Sequence, residues 1–516
     1  MKKNSLRFII TICLLIVWLY VAFENLNLVV DPIKKYFNNY YSFKETINEI
    51  EKNYTDKLKE KRAFINLNGL YVNISGGSSC NNVIKLSNGS LTTLNPAYDT
   101  TNNAQRVIEL NNKLKELGID FLYVQYPYKT NPDLLPYGLE DETDNNVDIF
   151  LNTINEKVSY IDTRPYFTAT SNQLNQYFYK TDHHWNPLGA FKAFQLISEY
   201  LQSKYPDESI YGDYQSIENW NINKKEDWFL GSWGKRTGIY FTGVDDLIWL
   251  TPKFETHMSF INAYKDEFFS GDYYTANVRE EYIYKKDYYK LNAYSVYIGG
   301  DYPLVQHRNH FAPVDKKILI IKDSFTIPLQ TFFSTVFSEV DVIDLRYYKA
   351  GSLYEYILES NPDIVIMCLN GKCVSEDIFF YSGITQECFT NSNNTKNQIC
   401  QWNSIEIDGT IENSYNYIPI YDQIESGKKY TLICDSVGIE KGDPKAISIK
   451  LYDKNNETTY DCTIWDIDYC QNKGSFEWTF TAPSDVDNLE LIVFSGIAGQ
   501  TDGNSVVFNN VRLYQE

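Results

Sequence analysis

The strongest constraint on the fold is an alternation of apolar strands and amphipathic helices between residues 318 and 367. Strands are predicted at 318–321, 341–344 and 363–367, with helices between them at 329–337 and 353–358. The same pattern occurs earlier, with helices at 104–117 and 146–155 and strands at 120–126 and 158–162. Alternation of this kind is typical of a parallel sheet whose strands are joined by crossover helices. The sequence therefore predicts an α/β fold.

Two regions depart from this α/β pattern. Between about residues 205 and 315 the chain has Tyr-rich alternating segments with glycines, such as Ser232–Phe241, which predict a β-rich insertion. After a Cys- and Asn-rich linker at 383–402, all periodic segments are strand candidates, at 430–433, 447–451, 476–480, 489–494 and 506–508. Short strands with turn residues between them and no helix predict a C-terminal β-sandwich over residues 403–516.

The amino terminus predicts export. Lys2, Lys3 and Arg7 precede an apolar stretch, 8–23, which Glu24 ends. This stretch is short for a membrane span of about 20 residues, so the alternative is a secretory signal. Because the end of the stretch has one small residue and no Ala-x-Ala pattern, an uncleaved signal anchor over residues 1–30 is favoured. The positive flank then places the body outside, as a single-pass protein. Charged helical residues at 31–62 predict a stalk, followed by the α/β domain at 63–382.

Composition excludes several classes of protein and site. The 47 Lys and Arg against 67 Asp and Glu give a formal charge of −20 without a basic stretch, which excludes nucleic acid as a partner. The 16% aromatic content excludes a disordered chain. Eight cysteines lie outside the anchor, and the spacings 368/373, 388/400 and 462/470 suggest local disulfides. No Cys/His cluster has zinc spacing, so neither a metal nor a cofactor is predicted.

The first candidate for chemistry is the loop that contains Asp182, His183 and His184. Pro187 suits the first position of a helix, so His184 lies just ahead of a helix start. Asp182 can orient the imidazole of His184 so that its other nitrogen accepts a proton. By itself, a histidine pair beside a carboxylate is also the pattern of a metal site or of a helix cap.

The second candidate is Ser324, between the strand 318–321 and the helix 329–337. Open α/β sheets bind ligands at the carboxyl ends of their strands. Backbone N–H groups at the helix start can hold an oxyanion, which places Ser324 as a nucleophile. An ordinary helix-capping serine is the alternative. Together with Asp182 and His184 it supplies a nucleophile, a base and an orienting group, provided that folding brings the three together.

The tetrad 182–185, Asp-His-His-Trp, resembles the signature of the DHHW family and the Asp-x-His-Trp element of alginate O-acetylation proteins, both SGNH hydrolase-like. Four further segments are similar to the same pattern, at 64–70, 85–89, 229–236 and 322–325, so the resemblance covers about residues 60–370. It implies a permuted SGNH-like parallel sheet with helices on both faces, because the Asp/His pair here precedes the serine. It also implies that Ser324 is the nucleophile, His184 the general base, Asp182 its orienting group and His183 structural.

The oxyanion site departs from the SGNH pattern. Lys322 stands where the Gly-Asp-Ser element usually has glycine, so the donors that stabilise an oxyanion are expected to differ. The candidates are Gly300, Arg346 and Asn370, for which a turn or surface role is the alternative.

The C-terminal region has a resemblance of its own. Segments 426–432 and 509–514 resemble the galactose-binding-like jelly rolls of carbohydrate-binding modules. Trp402, Tyr460 and Trp465 are then candidates for stacking on sugars, with a place in the core as the alternative for the tryptophans.

These resemblances imply an extracytoplasmic, serine-dependent O-acyl (acetyl) transferase or esterase that acts on a cell-surface or secreted polysaccharide. The alginate resemblance favours transfer, with a membrane-bound acyltransferase as the candidate acyl donor. A non-catalytic glycan-binding or envelope-assembly protein with a vestigial triad is the competing hypothesis.

Overall fold

The computed structural model describes residues 19–38, 40–168, 170–348, 352–376, 378–379, 397–409, 415–420, 423–484, 488–497 and 503–516. The predicted anchor falls largely on residues 1–18, and most of the predicted linker on 380–396, so both lie mainly outside the described residues. Within those ranges, no helix has the length and apolar character needed to cross a membrane. The chain divides into two compact units, Met1–Ile84 with Trp233–Gly243, and Lys85–Ser232 with Val244–Glu516.

The helices are α1 (Asn27–Phe37), α2 (Phe43–Lys57), α3 (Lys61–Ile74), α4 (Thr101–Glu116), α5 (Thr143–Ile154), α6 (Ser171–Tyr177), α7 (Pro187–Lys204), α8 (Ser232–Thr237), α9 (Ile239–Thr242), α10 (Tyr273–Asn277), α11 (Glu281–Tyr284), α12 (Thr326–Phe333), α13 (Leu353–Ser360) and α14 (Ile467–Lys473).

The strands are β1 (Ser79–Cys80), β2 (Val83–Lys85), β3 (Leu91–Thr92), β4 (Asp120–Tyr126), β5 (Tyr160–Asp162), β6 (Trp220–Phe229), β7 (Asp245–Pro252), β8 (Met258–Asn262), β9 (Glu267–Gly271), β10 (Leu304–Asn309), β11 (Val314–Lys322), β12 (Phe337–Ile343), β13 (Ile364–Asn370), β14 (Asn397–Gly409), β15 (Tyr415–Pro419), β16 (Lys429–Lys441), β17 (Ala446–Asp453), β18 (Thr458–Asp466), β19 (Phe476–Thr481), β20 (Leu489–Phe494) and β21 (Asn504–Gln515).

The first unit is mainly helical, as the charged pattern at 31–62 predicts. Its α3 approaches α8 closely, because a Cβ added at Gly69 would lie 2.1 Å from the carbonyl oxygen of Thr237. The interpretation of Ser232–Phe241 as β-structure is wrong, since this segment forms α8 and α9. The buried residues of the segment include Trp233, Thr237 and Phe241, a helical spacing of four that the interspersed glycines obscure.

An eight-stranded sheet organises the second unit, in the order β5-β4-β13-β11-β12-β10-β8-β9. The strands from β5 to β12 pair in parallel, which confirms the predicted parallel sheet. Strands β10, β8 and β9 continue it in antiparallel fashion. Part of the predicted β-rich insertion is therefore an extension of the main sheet rather than a separate layer, and β6 pairs with β7 outside it.

Both faces of this sheet are covered, because the side chains of β11 alternate between two cores. Ile318 and Ile320 pack in the same core as Phe194 of α7, whereas Leu319 and Ile321 belong to the opposite core. Complete burial of each such side chain contributes about 2 kcal/mol. The expected arrangement of helices on both faces is confirmed.

The connections of the sheet create a crevice beside β11. The chain leaves β11 through α12 and enters β12 on one side, then returns through α13 to β13 on the other side. Neighbouring connections thus run in opposite directions at the carboxyl end of β11, which is where open α/β sheets bind ligands.

The C-terminal region forms two four-stranded sheets, ordered β14-β21-β16-β19 and β15-β20-β17-β18, with a common apolar core. The five strands predicted there are present. The expectation that this region has no helix is wrong, because α14 follows β18. Asp466 caps its start by accepting a hydrogen bond from Tyr469 N at 3.0 Å, and Gly474, at φ 83°, ends it.

All seven described cysteines are free thiols: Cys80, Cys368, Cys373, Cys400, Cys434, Cys462 and Cys470. The suggested pairs 368/373 and 462/470 are therefore wrong, and Cys388 lies outside the described residues. The thiols are used locally instead. Cys373 donates to the carboxylate of Asp323 at 3.4 Å, and Cys462 donates to the carbonyl of Ala263 at 3.1 Å.

Candidate active site

The loop before α7 places the imidazole of His184 as the sequence predicts. Pro187 is the first residue of α7, and the side chain of Asn186 caps the helix by accepting hydrogen bonds from Leu188 N at 2.9 Å and Gly189 N at 3.1 Å. His184 therefore lies immediately before a fixed helix start.

Folding brings Ser324, His184 and Asp182 into one hydrogen-bonded line. The Oγ atom of Ser324 lies 2.8 Å from Nε2 of His184. On the other side of the ring, Nδ1 lies 2.5 Å from Oδ1 of Asp182. All three residues are buried. This is the geometry in which a carboxylate orients an imidazole and the imidazole accepts the serine proton.

Asp182 is held from its far side by the segment after β6. The backbone N–H of Ser232 donates to Oδ2 of Asp182 at 2.5 Å. Gly231 packs so closely that a Cβ there would lie 2.3 Å from Cβ of Asp182. Burial favours the neutral acid, but both neighbouring histidines and the Ser232 N–H favour the carboxylate, so the pKa of Asp182 lies well below its usual range. The orienting group is therefore ionised.

A buried lysine supports the backbone of the same loop. The Nζ atom of Lys129 donates to the carbonyl oxygens of Tyr179 at 2.5 Å, Lys180 at 2.9 Å and Asp182 at 2.8 Å. Burial lowers the pKa of Lys129 to about 7, against the attraction of the Asp245 and Asp182 carboxylates. Its side chain thus fixes the carbonyl oxygens that precede the histidine pair.

Asp245 holds the loop from another strand, β7. Its carboxylate accepts hydrogen bonds from Lys180 N at 2.5 Å, from Thr181 N at 2.8 Å and from the hydroxyl of Thr181 at 2.5 Å. Lys129 therefore binds carbonyl oxygens, and Asp245 binds N–H groups, of the same short backbone segment.

The turn that carries Ser324 is built around the buried carboxylate of Asp323. Its oxygens accept hydrogen bonds from Phe325 N at 2.8 Å, Asn370 N at 2.6 Å and Asn370 Nδ2 at 2.7 Å. Burial raises the pKa of Asp323 above its ordinary value. Trp185, the last residue of the tetrad, donates from Nε1 to the carbonyl of Phe325 at 2.8 Å, which ties the two halves of the site together.

Most backbone N–H groups in this turn already donate a hydrogen bond within the protein. Phe325 N donates to the Asp323 carboxylate, Thr326 N to the carbonyl of Asp323 and Ile327 N to the carbonyl of Ser324. The N–H of Ser324 has no acceptor among the residues that the structure describes. It is therefore the donor of this turn that is left for a ligand.

Tyr294 forms one wall of the triad. Its ring stacks on the imidazole of His184 with centroids 3.8 Å apart. Its hydroxyl donates to the carbonyls of Ser324 at 3.0 Å and Phe325 at 3.2 Å. One side chain therefore contacts both the base and the nucleophile turn.

The three candidate oxyanion donors have other contacts. Asn370 donates its side-chain amide to Asp323 and, at 3.2 Å, to the sulfur of Cys373. Arg346 forms a fork with Asp344, at 2.9 and 2.6 Å. The side-chain amide of Asn370 and two N–H groups of Arg346 therefore already bind neighbouring side chains, and a role for either residue at an oxyanion stays a prediction. Gly300 lies in a turn at φ 137°, where an added Cβ would meet Ser295 Oγ at 3.6 Å.

Lys322, the departure from Gly-Asp-Ser, is accommodated away from Ser324. Its ammonium group pairs with Asp301 and lies 3.4 Å from Asp344. The pKa of Asp301 is lowered because the charge of Lys322 outweighs the effect of burial. A lysine is thus neutralised in the place where the related pattern has glycine.

The ligand atoms of Asp182, His183 and His184 all lie within 4.8 Å, so the metal-site alternative retains a geometric basis. Catalytic zinc sites also have three protein ligands, so the number of ligands does not decide between a metal site and a triad. The imidazole of His184 faces Asp182 on one side and Ser324 on the other. Nδ1 of His183 pairs with the hydroxyl of Ser232 at 2.8 Å. Both ring nitrogens of His184 and Nδ1 of His183 are therefore already hydrogen-bonded within the site.

The candidate sugar-stacking residues differ in exposure. Trp465 is 4% exposed and packs against Phe476 and Phe508, so the expectation of an exposed ring is wrong for this residue. Trp402 is partly buried against the sandwich core. Tyr460 is 39% exposed, and its role in stacking on a sugar stays a prediction.

Sequence reasoning missed Tyr294, Lys129 and Asp245. Lys129 follows β4, an apolar strand of the parallel sheet, and that position at a carboxyl strand end was a usable signal. Tyr294 is one of 43 tyrosines and Asp245 one of 67 acidic residues, so neither had a signal of its own.

One family model matches part of the chain. Residues 87–224 match the model described as the SGNH hydrolase-like domain of the acetyltransferase AlgX. The predicted SGNH-like resemblance is confirmed. The SGNH-like segment that matches contains Asp182 and His184, whereas Ser324 lies beyond it.

Solved structures similar to parts of the chain were also found. PatB1 of Bacillus cereus is 23% identical, with a TM-score of 0.49, over 58% of this chain and 99% of PatB1. A DHHW family protein of Eubacterium siraeum is 18% identical, with a TM-score of 0.45, over 58% of this chain and 96% of that one. The CBM22-1 xylan-binding domain of Paenibacillus barcinonensis Xyn10C matches 22% of this chain and 71% of its own, at 8% identity and a TM-score of 0.16. No curated protein sequence matches the chain.

Proposed function

We propose that this protein is an SGNH-type serine O-acyltransferase or esterase that acts on a surface or secreted polysaccharide. The acyl group that it transfers or removes is acetyl. The observation that carries the proposal is the Ser324–His184–Asp182 line, with distances of 2.8 and 2.5 Å. The match of residues 87–224 to the domain of an acetyltransferase supports acetyl as the group transferred.

The triad would act in two steps. His184 Nε2 takes the proton of Ser324 as Oγ attacks the acyl carbonyl, and Asp182 stabilises the imidazolium that forms. The Ser324 N–H supplies one donor for the oxyanion. Collapse of the tetrahedral intermediate expels the donor's leaving group, which receives the proton from His184, and leaves an acyl ester on Ser324.

In the second step His184 takes a proton from a glycan hydroxyl, whose oxygen attacks the acyl ester. Collapse returns that proton to Oγ of Ser324 and releases the acylated glycan. Attack by water instead makes the protein an esterase. Export through the N-terminal segment and supply of the acyl group by a membrane-bound acyltransferase belong to the same proposal, motivated by the basic, apolar amino terminus.

The first test is hydrolysis of p-nitrophenyl acetate and labelling by a serine-directed phosphonate. The full chain is expected to hydrolyse the ester and to gain one phosphonate mass on the peptide that contains Ser324. Ser324→Ala removes both the hydrolysis and the labelling. His184→Ala lowers hydrolysis at least 1,000-fold, because triad members act as a unit.

Ser203→Ala on α7 and His257→Ala before β8 are matched controls and keep wild-type rates. Absence of both hydrolysis and adduct in a folded wild-type protein would leave the non-catalytic, glycan-binding hypothesis in its place. Incubation with acetylated and deacetylated oligosaccharides then separates transfer from hydrolysis, since only a transferase returns an acetyl mass to the glycan.

A further inference from the structure

A cavity of about 450 Å³ lies between the α/β sheet and the β-sandwich of the second unit. Arg308, Lys317 and Glu339 line it from the sheet, while Asp461 and Trp478 line it from the sandwich. Its volume falls within the range of small-ligand sites. The triad residues are not part of its lining, so this cavity is separate from the candidate active site.

The cations that line the cavity belong to ion pairs with carboxylates. Asp341 accepts from Arg308 at 2.8 Å and pairs with Lys317 at 3.0 Å. The third cation of the lining, Lys473, pairs with Asp315 at 3.1 Å. Every cation of the lining is therefore matched by a carboxylate, and none is left for an anionic ligand.

Three polar groups of the lining lack a full set of partners in the part of the chain that the structure describes. The indole N–H of Trp465, in a side chain 96% buried, has none, and neither does the hydroxyl of Ser360. The carboxylate of Asp461 accepts one hydrogen bond, from Cys462 N at 2.8 Å. Burial, together with the charge of Glu359, raises the pKa of Asp461 to about 7. Such groups are costly unless a ligand or water completes them.

The chemistry of the lining selects among ligand classes. Six carboxylates face three cations, namely Glu339, Glu355, Glu359, Asp461, Asp466 and Glu477 against Arg308, Lys317 and Lys473, which disfavours anions. The indole N–H of Trp465 is a donor only, so a cation would leave it without a partner. A neutral polyol satisfies both a free donor and a free acceptor, since each hydroxyl can donate and accept. The rings of Tyr264, Tyr348 and Trp478 add apolar surface.

We propose that this cavity is a second glycan site, which holds a short neutral segment of the polysaccharide outside the Ser324 centre. The choice of a glycan rests on the proposed function, whereas the neutral, hydroxyl-rich character follows from the lining. The indole of Trp465 would take part through its N–H edge, because its ring faces are covered. The sandwich and the sheet would then hold one polymer chain jointly.

The test measures binding without turnover. The full chain carrying Ser324→Ala is titrated with xylohexaose, cellohexaose and chitohexaose by isothermal calorimetry. We expect saturable binding of at least one hexaose, and an affinity at least tenfold lower when Asp461→Leu is added. Asp443→Leu, at an exposed carboxylate of the sandwich, is the matched control and keeps the affinity.

Loss of folding is excluded by the thermal midpoint of Asp461→Leu, which should rise at pH 8 because an unfavourably buried carboxylate is removed. Equal affinity of the Asp461→Leu and Asp443→Leu proteins, or no binding of any hexaose, overturns the proposal. Binding without hydrolysis of p-nitrophenyl acetate by the wild type would retain the second site and reject the acyltransferase. Hydrolysis without binding would do the reverse.

Discussion

The ring of Tyr294 lies parallel to the imidazole of His184, with an angle of 6° between their planes and 3.8 Å between their centroids. The same tyrosine donates a hydrogen bond to the carbonyl of Ser324. Burial raises its pKa well above the ordinary value, so the hydroxyl stays protonated and remains a donor. Tyr294 therefore fixes the plane of the base and the position of the nucleophile turn at once.

This relationship predicts graded effects at Tyr294. Tyr294→Phe keeps the stacked ring but loses the hydroxyl, so we expect kcat/KM for p-nitrophenyl acetate to fall about fivefold, the equivalent of one hydrogen bond of about 1 kcal/mol. Tyr294→Leu also frees the imidazole to tilt, and a fall of about 100-fold is expected. A Tyr294→Leu protein with wild-type kinetics would show that the stacking is unimportant for the reaction.

Lys129 is predicted to be a positioning residue for the triad. Lys129→Met leaves the carbonyls of Tyr179, Lys180 and Asp182 without their donor, so we expect kcat/KM to fall about 100-fold while the Ser324 adduct still forms slowly. Lys192→Met, on the outer face of α7, is the control and keeps the wild-type rate.

The buried amine of Lys129 predicts that the stability of the protein depends on pH. Between about pH 7 and 10 the folded amine is neutral while the unfolded amine stays charged, so the unfolded state binds more protons. The free energy of unfolding of the wild type should therefore rise with pH relative to Lys129→Met in this window. Urea unfolding at pH 6, 8 and 9.5 measures the free energy of unfolding of the wild type minus that of Lys129→Met, and a fall of this value as the pH rises would contradict the assignment.

Gly231 is predicted to be essential for the position of Asp182. A Cβ at this site would lie 2.3 Å from Cβ and 2.5 Å from Cα of Asp182, so Gly231→Ala must displace the carboxylate. We expect kcat/KM to fall at least 100-fold. Gly212→Ala, where an added Cβ meets nothing within 4 Å, should have no effect. Equal activity of the two variants would mean that the loop relaxes without cost.

The ion pairs of Asp341 are predicted to make the stability of the protein fall at acidic pH. Burial raises its pKa, but Lys317 and Arg308 outweigh burial and hold the pKa well below 3.8. The stabilisation that the ionised Asp341 provides is therefore present above about pH 4, and it is lost as the pH falls through the pKa of Asp341 in the folded state. Asp341→Asn should lower stability by about 3 kcal/mol at pH 7, because it breaks a buried ion pair. The gap between variant and wild type in urea unfolding should be constant from pH 8 to 5 and narrow below pH 4.

The sequence by itself determined the central sheet and the identity of the three proposed catalytic residues. Apolar periodicity predicted β4 and β11 to β13 because strands buried on both faces need continuous apolar residues. Ser324 was predicted as a candidate because it follows such a strand. His184 was predicted because Asp182 precedes it and Pro187 starts a helix.

Only the tertiary structure decided what surrounds those residues. Tyr294, Lys129 and Asp245 reach the site from separate segments, and a contact between distant segments leaves no local periodicity in the sequence. For the same reason, exposure could not be predicted for Trp465, nor partners for Asn370. The pattern of a strand depends on the environment of that segment alone. A functional site is formed by several segments, and the positions of these segments depend on how the strands of the sheet are connected.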